Sequence, residues 1–264
     1  MKTQQRILKY PRTPHLSGSR LQAGDEDLSQ IAFSTLKGKH VVVEEKLDGA
    51  NVGISFSESG EMLLQSRGHF LTGGRRERDY ELFKLYCARM QGVLYEILGK
   101  RYIMYGEWLL VKHKIYYDSL PHYFMEFDIY DRERGVFLDT VSRRGMLDGS
   151  PIVSMPVLYS GKFKSERETL ALLTRSLYIT DAYRENLKNE AIERGLDPEA
   201  IMLETEDTTL AEGLYLKVEE GGEVAERMKY VRYGFTQAAP SAEKWLSRPI
   251  IRNKLREGAS LLPD

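Results

Sequence analysis

The chain has one cysteine, Cys87, in 264 residues, so no intrachain disulfide can form and no cysteine-based metal cluster exists. That usage matches a reducing compartment and predicts a cytoplasmic protein. No apolar run approaches the roughly 18 residues of a membrane span. The opening Met1-Lys2-Thr3-Gln4-Gln5-Arg6 is followed by no apolar stretch, which excludes a secretory signal. Charge of one sign is also missing. The formal net charge is −1, so the chain as a whole is no polycation, and any nucleic-acid surface has to be a local patch. Internal repeats and low-complexity segments are absent.

With 42% hydrophobic and 29% charged residues, the chain suits one large globular domain, or one domain with a small appendage. Residues 1–34 read as an N-terminal arm of that domain, 35–235 as its body and 236–264 as a short basic helical segment. The arm is rich in proline, serine and glycine, as expected of a loop. It carries Arg12, His15 and Arg20 among hydroxyls, which reads equally as phosphate-binding chemistry or as a solvated arm.

Three strands are expected over Lys39–Glu45, Asn51–Ser57 and Met62–Ser66. Gly73-Gly74-Arg75-Arg76 reads as a basic loop. Leu82, Phe83, Tyr86, Met90, Val93, Leu94 and Ile97 recur at helical spacing, which predicts one helix over 79–98 stopped by Gly99. Arg101–Leu110 and Tyr123–Tyr130 read as strands and Arg134–Val141 as a hairpin arm. A helical excursion follows, with Ser165 and Glu168 as a capping box, a helix over Asp181–Arg194 and Pro198 opening a third. Gly221-Gly222 predicts a tight hairpin between Glu212–Glu219 and Glu223–Arg232, and Ser241–Glu257 reads as a final amphipathic helix. The order predicts an α+β fold, an antiparallel sheet with peripheral helices.

The stretch Val41-Val42-Val43-Glu44-Glu45-Lys46-Leu47-Asp48-Gly49-Ala50-Asn51 organises the rest. A buried strand ends in two acids and then Lys46, and Asp48-Gly49 reads as a tight turn. Lys46 therefore stands where a strand leaves the core, the place for a lysine nucleophile. Taken alone, Lys-x-Asp-Gly is also what a hairpin with an exposed lysine looks like. Further short elements follow in order: Ser66-Arg67-Gly68, Tyr105-Gly106-Glu107-Trp108, Phe124-Met125-Glu126-Phe127-Asp128, Glu212-Gly213-Leu214-Tyr215-Leu216-Lys217 and Glu226-Arg227-Met228-Lys229-Tyr230.

In these six elements the chain resembles the covalent, lysyl-adenylate nucleotidyltransferases. It is most similar to their ATP-dependent RNA ligase branch, over roughly residues 35–235. The resemblance implies the antiparallel-sheet adenylation domain of that superfamily, akin to ATP-grasp architecture. It also implies a reaction: Lys46 attacks the α-phosphorus of ATP, AMP passes to an RNA 5′-phosphate, and a 3′-hydroxyl displaces AMP to seal the strand. Lys46, Arg227 and Lys229 would be the catalytic set. Phe127 would stack on adenine, the Glu45 backbone would read the base, and Asn51 and Arg67 would hold sugar and phosphate. Glu107 would lie near the ribose and, with Glu212, organise a divalent cation, Mg2+ or Mn2+.

Elementary chemistry agrees with those roles. Acids in apolar strands, such as Glu107 and Glu212, are costly unless paired or metal-bound. A divalent ion offsets charge building on phosphate. Arg227 and Lys229 flank Met228 and so share one sheet face, from which they would hold phosphates and favour a neutral Lys46. Relatives commonly carry two lysines in this motif. Arg227 keeps the charge but cannot serve as a proton donor.

The thirty or so residues after Arg232 are too few for an OB-fold barrel. The expectation is therefore a near-bare catalytic domain acting in RNA repair, on RNA with 5′-phosphate and 3′-hydroxyl ends, with room for an end-healing kinase–phosphatase partner and no membrane. From Arg227 to Arg256 eight cations face one acid, Glu243. Helical spacing would align Lys244, Arg248 and Arg252 as an RNA track. A minimal DNA ligase, another polynucleotide adenylyltransferase and a non-catalytic nucleic-acid-binding relative are the alternative readings.

Overall fold

The computed structural model describes residues 6–21, 24–25, 27–235 and 250–262. Among these residues, eleven strands form two sheets. In chain order they are β1 (His15–Leu16), β2 (Gln30–Ile31), β3 (His40–Lys46), β4 (Ala50–Phe56), β5 (Met62–Ser66), β6 (Tyr102–Trp108), β7 (Phe124–Asp131), β8 (Val136–Phe137), β9 (Val157–Lys162), β10 (Gly213–Glu220) and β11 (Glu223–Val231). The first sheet runs β2-β1-β11-β10-β3-β9 and the second β5-β4-β6-β7-β8. All pairings are antiparallel except those of β1, which lies parallel to both β11 and β2.

Period-two alternation builds three apolar layers. Val52, Ile54 and Phe56 of β4 point outward from the second sheet, against Phe83, Tyr86 and Cys87 of α1 (Glu81–Arg89) and Leu94 and Leu98 of α2 (Gln91–Leu98). Val41, Val43, Leu214, Leu216 and Met228 cover the outer face of the first sheet. Tyr10, Tyr105, Met125 and Phe127 join a middle cluster with Val224 and Val231.

The helix expected over 79–98 is divided. A 3-10 turn over Arg75–Tyr80 precedes α1, and the chain bends at the buried Met90 (φ −90°, ψ 4°) before α2. Gly99 ends α2 with positive φ, as its position suggested. The hairpin arm expected over Arg134–Val141 is only β8. Asp139 accepts a hydrogen bond from the Ser142 amide and starts α3 (Thr140–Leu147) instead. Ser165 caps α4 (Glu166–Leu170), α5 spans Tyr183–Glu193, and Pro198 stands in the first turn of α6 (Pro198–Leu203).

Asp48-Gly49 is not a hairpin turn. β3 belongs to the first sheet and β4 to the second, so Leu47-Asp48-Gly49 carries the chain across from one sheet to the other. A Cβ at Gly49 would stand 2.8 Å from the Glu107 Cγ, the Leu109 Cδ2 and the Trp108 carbonyl, so only glycine passes β6 at that distance.

The described residues of the C-terminal segment, 250–262, contain no helix. Arg252 forms an isolated antiparallel bridge with Val111, Leu255 a parallel one with Leu120, and Asn253 is buried against the Leu109 carbonyl. The helical stripe through Lys244, Arg248 and Arg252 therefore does not extend to Arg252, because backbone pairing fixes that stretch as extended chain. Lys244 and Arg248 lie outside the described residues.

Candidate active site

A cavity of about 430 Å3 opens between the two sheets. Lys46, the last residue of β3, points into it, and Glu45, Asn51, Arg67, Glu107, Phe127, Glu212 and Lys229 also border it. Arg227 is not among the bordering residues. Its guanidinium lies 3.7 Å over the Phe137 ring and 5.5 Å from the Tyr10 ring.

The Lys46 Nζ lies 2.7 Å from one Glu212 oxygen and donates to the other at 2.8 Å. Gly213 faces Lys46 across the β3–β10 ladder, which fixes the neighbouring Glu212 beside the ammonium. A Cβ at Gly213 would stand 1.9 Å from the Tyr230 carbonyl, so the Glu-Gly pair is a steric requirement of the β10–β11 contact as well as a chemical one. Glu107 is oriented by the Gly49 amide, which donates to its Oε1 at 3.1 Å.

Asp48 is a staple. Its Oδ2 accepts from the Lys114 and Ile115 amides at 2.7 and 2.9 Å, and its own amide donates to the Tyr117 hydroxyl at 2.8 Å. Burial works against the Asp48 carboxylate, but His113, the backbone amides and Lys46 outweigh it and hold its pKa at about 2. His113 approaches the Asp48 Oδ1 at 3.7 Å, which ties it to this staple.

The electrostatics of Lys46 differ from the sequence-based expectation. Burial lowers its pKa, but Glu212, Glu107 and Asp48 outweigh burial and the net shift is upward. The free site thus keeps Lys46 protonated, because the pull of three carboxylates exceeds the cost of burial. Burial is the main cause that lifts Glu107 and Glu212 to about 7. The cluster titrates as a unit.

Lys229 has the opposite shift. Burial lowers its pKa although Asp25 pairs with it. Asp25 also takes the fully buried His15 at 3.2 Å and Arg12 at 3.4 Å. Arg12 further pairs with Asp27 at 2.6 Å. Arg12 and His15 are therefore committed to carboxylates and do not form a free phosphate site in the arm. Arm residues Tyr10, Thr13 and Asp25 border the cavity, with the Tyr10 hydroxyl bonded to Asp128 and Tyr215. Sequence reasoning missed them, since an irregular proline-rich stretch carries no periodicity to say where it folds back. Lys217, named above only as the end of a motif, was missed in its role as well. It is fully buried and touches the Phe127 carbonyl, Glu44 and Asp128, and its charge inside an apolar strand was the signal available.

The donor set fits a nucleotide and a divalent ion held together. Asn51 Oδ1 is buried, without a hydrogen-bond partner, in a residue that borders the cavity. Phe127 is 9% exposed and borders the cavity, its ring edge-on to Tyr10 at 5.2 Å. Among the described residues no cluster of three or more His, Cys, Asp or Glu forms a protein-only metal cage. Two carboxylates are what a Mg2+-like ion uses when substrate phosphates and water complete its shell.

A cation bound by Glu107 and Glu212 must displace their protons. With values lifted to about 7, the carboxylates are neutral below that pH and ionised above it. Mn2+ affinity measured by calorimetry is therefore expected to tighten between about pH 6 and 8, by up to about tenfold per unit for each proton released, and to flatten above. An affinity independent of pH across that range would remove these two residues as the metal-binding pair.

A family model for RNA ligase matches residues 39–231. No curated protein matches the chain. Among solved structures, an aspartate-to-alanine variant of Naegleria gruberi RNA ligase in its apo form is similar at 15% identity and a TM-score of 0.48, over 75% of this chain and 51% of that one. A lysine-to-methionine variant with AMP and Mn aligns at 15% identity and a TM-score of 0.45, over 84% of this chain and 61% of that one. The first of these alignments spans about half the length of its counterpart.

Proposed function

Because the chain belongs to the RNA ligase family, we propose that it is an ATP-dependent enzyme that joins RNA 5′-phosphate and 3′-hydroxyl ends through a Lys46–AMP intermediate, in cytoplasmic RNA repair. The observation that carries the reading is a lysine at the end of a buried strand, opening on a cavity and bonded to a buried carboxylate whose pKa is lifted to about 7.

In the first step the Lys46 amine forms a P–N bond at the α-phosphorus, and the bond to the pyrophosphate oxygen breaks. The proton on Lys46 has a receiver in Glu212, 2.7 Å away. A divalent cation would be held by Glu107 and Glu212 and would neutralise charge on the phosphates, so the proton that Glu212 takes has to pass on to solvent before Glu212 can serve as a ligand. A 5′-phosphate oxygen of RNA then attacks the AMP phosphorus and frees Lys46. Last, a 3′-hydroxyl oxygen attacks the activated 5′-phosphorus and gives up its proton to solvent, AMP leaves, and the phosphodiester is complete.

Phe127 is the adenine platform in this reading, Asn51 and Arg67 hold sugar and phosphate, and Lys229 moves between Asp25 and the phosphates. Arg227 acts from behind the cavity, against Phe137 and Tyr10. The RNA contact of Lys244, Arg248 and Arg252, and an end-healing kinase–phosphatase as partner, belong to the same proposal.

The test is incubation with labelled ATP and a divalent metal, followed by 5′-phosphorylated RNA and DNA side by side. Covalent label that transfers to RNA is expected. Label that moves only to DNA would turn the reading to a minimal DNA ligase. No label at all would leave a binding domain.

A further inference from the structure

The face of the second sheet that borders the catalytic cavity continues beyond it. Side chains alternate along β4, β5 and β6, so Asn51, Arg67 and Glu107 share a face with Ser55, Leu63 and Ile103, each four residues or about 13 Å further along. The N-terminal segment crosses this face at its middle. The Leu8 carbonyl accepts from both the Gln65 amide and the Tyr105 hydroxyl, each at 2.8 Å.

Past that crossing lies a second cavity, of about 340 Å3. Its border includes Phe70, Tyr130, Arg6, Arg132 and Ser55, and no acid among the described residues. The catalytic cavity, by contrast, is bordered by Asp25, Glu44, Glu45, Glu107 and Glu212.

The walls are held in place. The Tyr130 ring sits edge-on to Phe137 at 4.9 Å. The Phe70 backbone bridges to Gln65. One Arg132 nitrogen donates to the Phe56 and Lys100 carbonyls at 3.0 and 3.1 Å. Its other guanidinium nitrogens make no bond among the described residues, so a guanidinium edge stays available for an anion.

Two cations with no acid on the border, Glu58 acting on Arg132 only from outside it, select a phosphate, and two aromatic residues select a planar base. We propose that this second cavity binds one nucleotide of the RNA strand, its phosphodiester against Arg132 and Arg6 and its base against Phe70 and Tyr130. A strand laid along the sheet would pass from this subsite to the catalytic cavity over the Leu8 crossing. The inference rests on the RNA ligase reading above and adds to it where the strand runs.

The experiment uses the full chain and a 5′-phosphorylated RNA oligonucleotide bearing a photoreactive thiouridine. Phe70→Ala removes a stacking ring, and Leu63→Glu places a carboxylate in the cavity. Both variants should keep Lys46 self-labelling with ATP, which reports an intact fold and catalytic site. RNA affinity and sealing should each fall about tenfold. Crosslinks in the wild type should map to Phe70 or Tyr130, and neither AMP nor inorganic phosphate in excess should abolish them. Unchanged RNA affinity in both variants would overturn the proposal. Loss of the crosslink to AMP or phosphate would overturn it too, by assigning the cavity to a free mononucleotide or anion. A wild type that takes no label from ATP would instead sink the ligase reading itself.

Discussion

Lys46→Ala is expected to abolish covalent AMP formation, by a factor of at least about a thousand, while the protein stays folded. The magnitude follows from the loss of the bond-forming atom, for which no neighbouring group can substitute in place. A rival does exist in the cavity. Burial lowers the pKa of Lys229 whereas that of Lys46 is raised, so basicity alone would favour Lys229 as the amine. Placement argues the other way. Lys229 is clamped by Asp25, while Lys46 is bonded to a carboxylate whose lifted pKa suits it to take the proton. Lys229→Ala should therefore slow self-labelling without removing it. Mapping the acid-labile adduct by mass spectrometry decides the matter: an adduct on Lys229, or one that survives Lys46→Ala, would move the nucleophile.

Arg143→Leu should lower folding stability by about 3–5 kcal/mol, a drop in Tm of roughly 10 °C or more. Arg143 is fully buried in α3, 2.6 Å from a Glu44 oxygen and 2.8 Å from Glu126. Glu44 is in turn 2.9 Å from the buried Lys217, which lies 3.0 Å from Asp128. Three acids and two cations thus join β3, β7, α3 and β10 just behind Lys46 and Phe127. Replacing Arg143 alone leaves Glu44 and Glu126, 1% and 0% exposed, without their guanidinium, and much of their desolvation cost is then uncompensated. A second substitution, Glu126→Gln, should restore part of the loss, because one of the stranded charges goes with it. Thermal denaturation of the two variants checks this. An unchanged Tm in Arg143→Leu would mean that the network contributes nothing net.

The strands around Lys46 were legible because period-two alternation and the Val41–Val43 run leave little choice of structure. Glycine at 99 and the Gly221-Gly222 hairpin were legible because positive φ, 49°, 63° and 84°, favours that residue. Gly49 was misread for the same habit of thought. Its φ is not positive, and it is glycine because β6 passes too close for a Cβ. The bend at Met90 escaped notice because both halves keep one apolar face, and spacing does not record a change of axis.

The sequence by itself determined the long strands β3 to β7, β10 and β11, their alternation and the order of short motifs that marks the family over residues 39–231, because local backbone preference and apolar period act over a few residues at a time. Only the tertiary structure decided that β3 and β4 lie in different sheets, that the arm brings Tyr10 and Asp25 to the cavity, and that carboxylates rather than cations set the charge of Lys46. Those outcomes depend on desolvation and on charges brought within about 3 Å from positions far apart in the chain, Glu212 beside Lys46 and Lys229 beside Asp25, and the energy of such pairs is fixed by burial and distance rather than by neighbours in sequence.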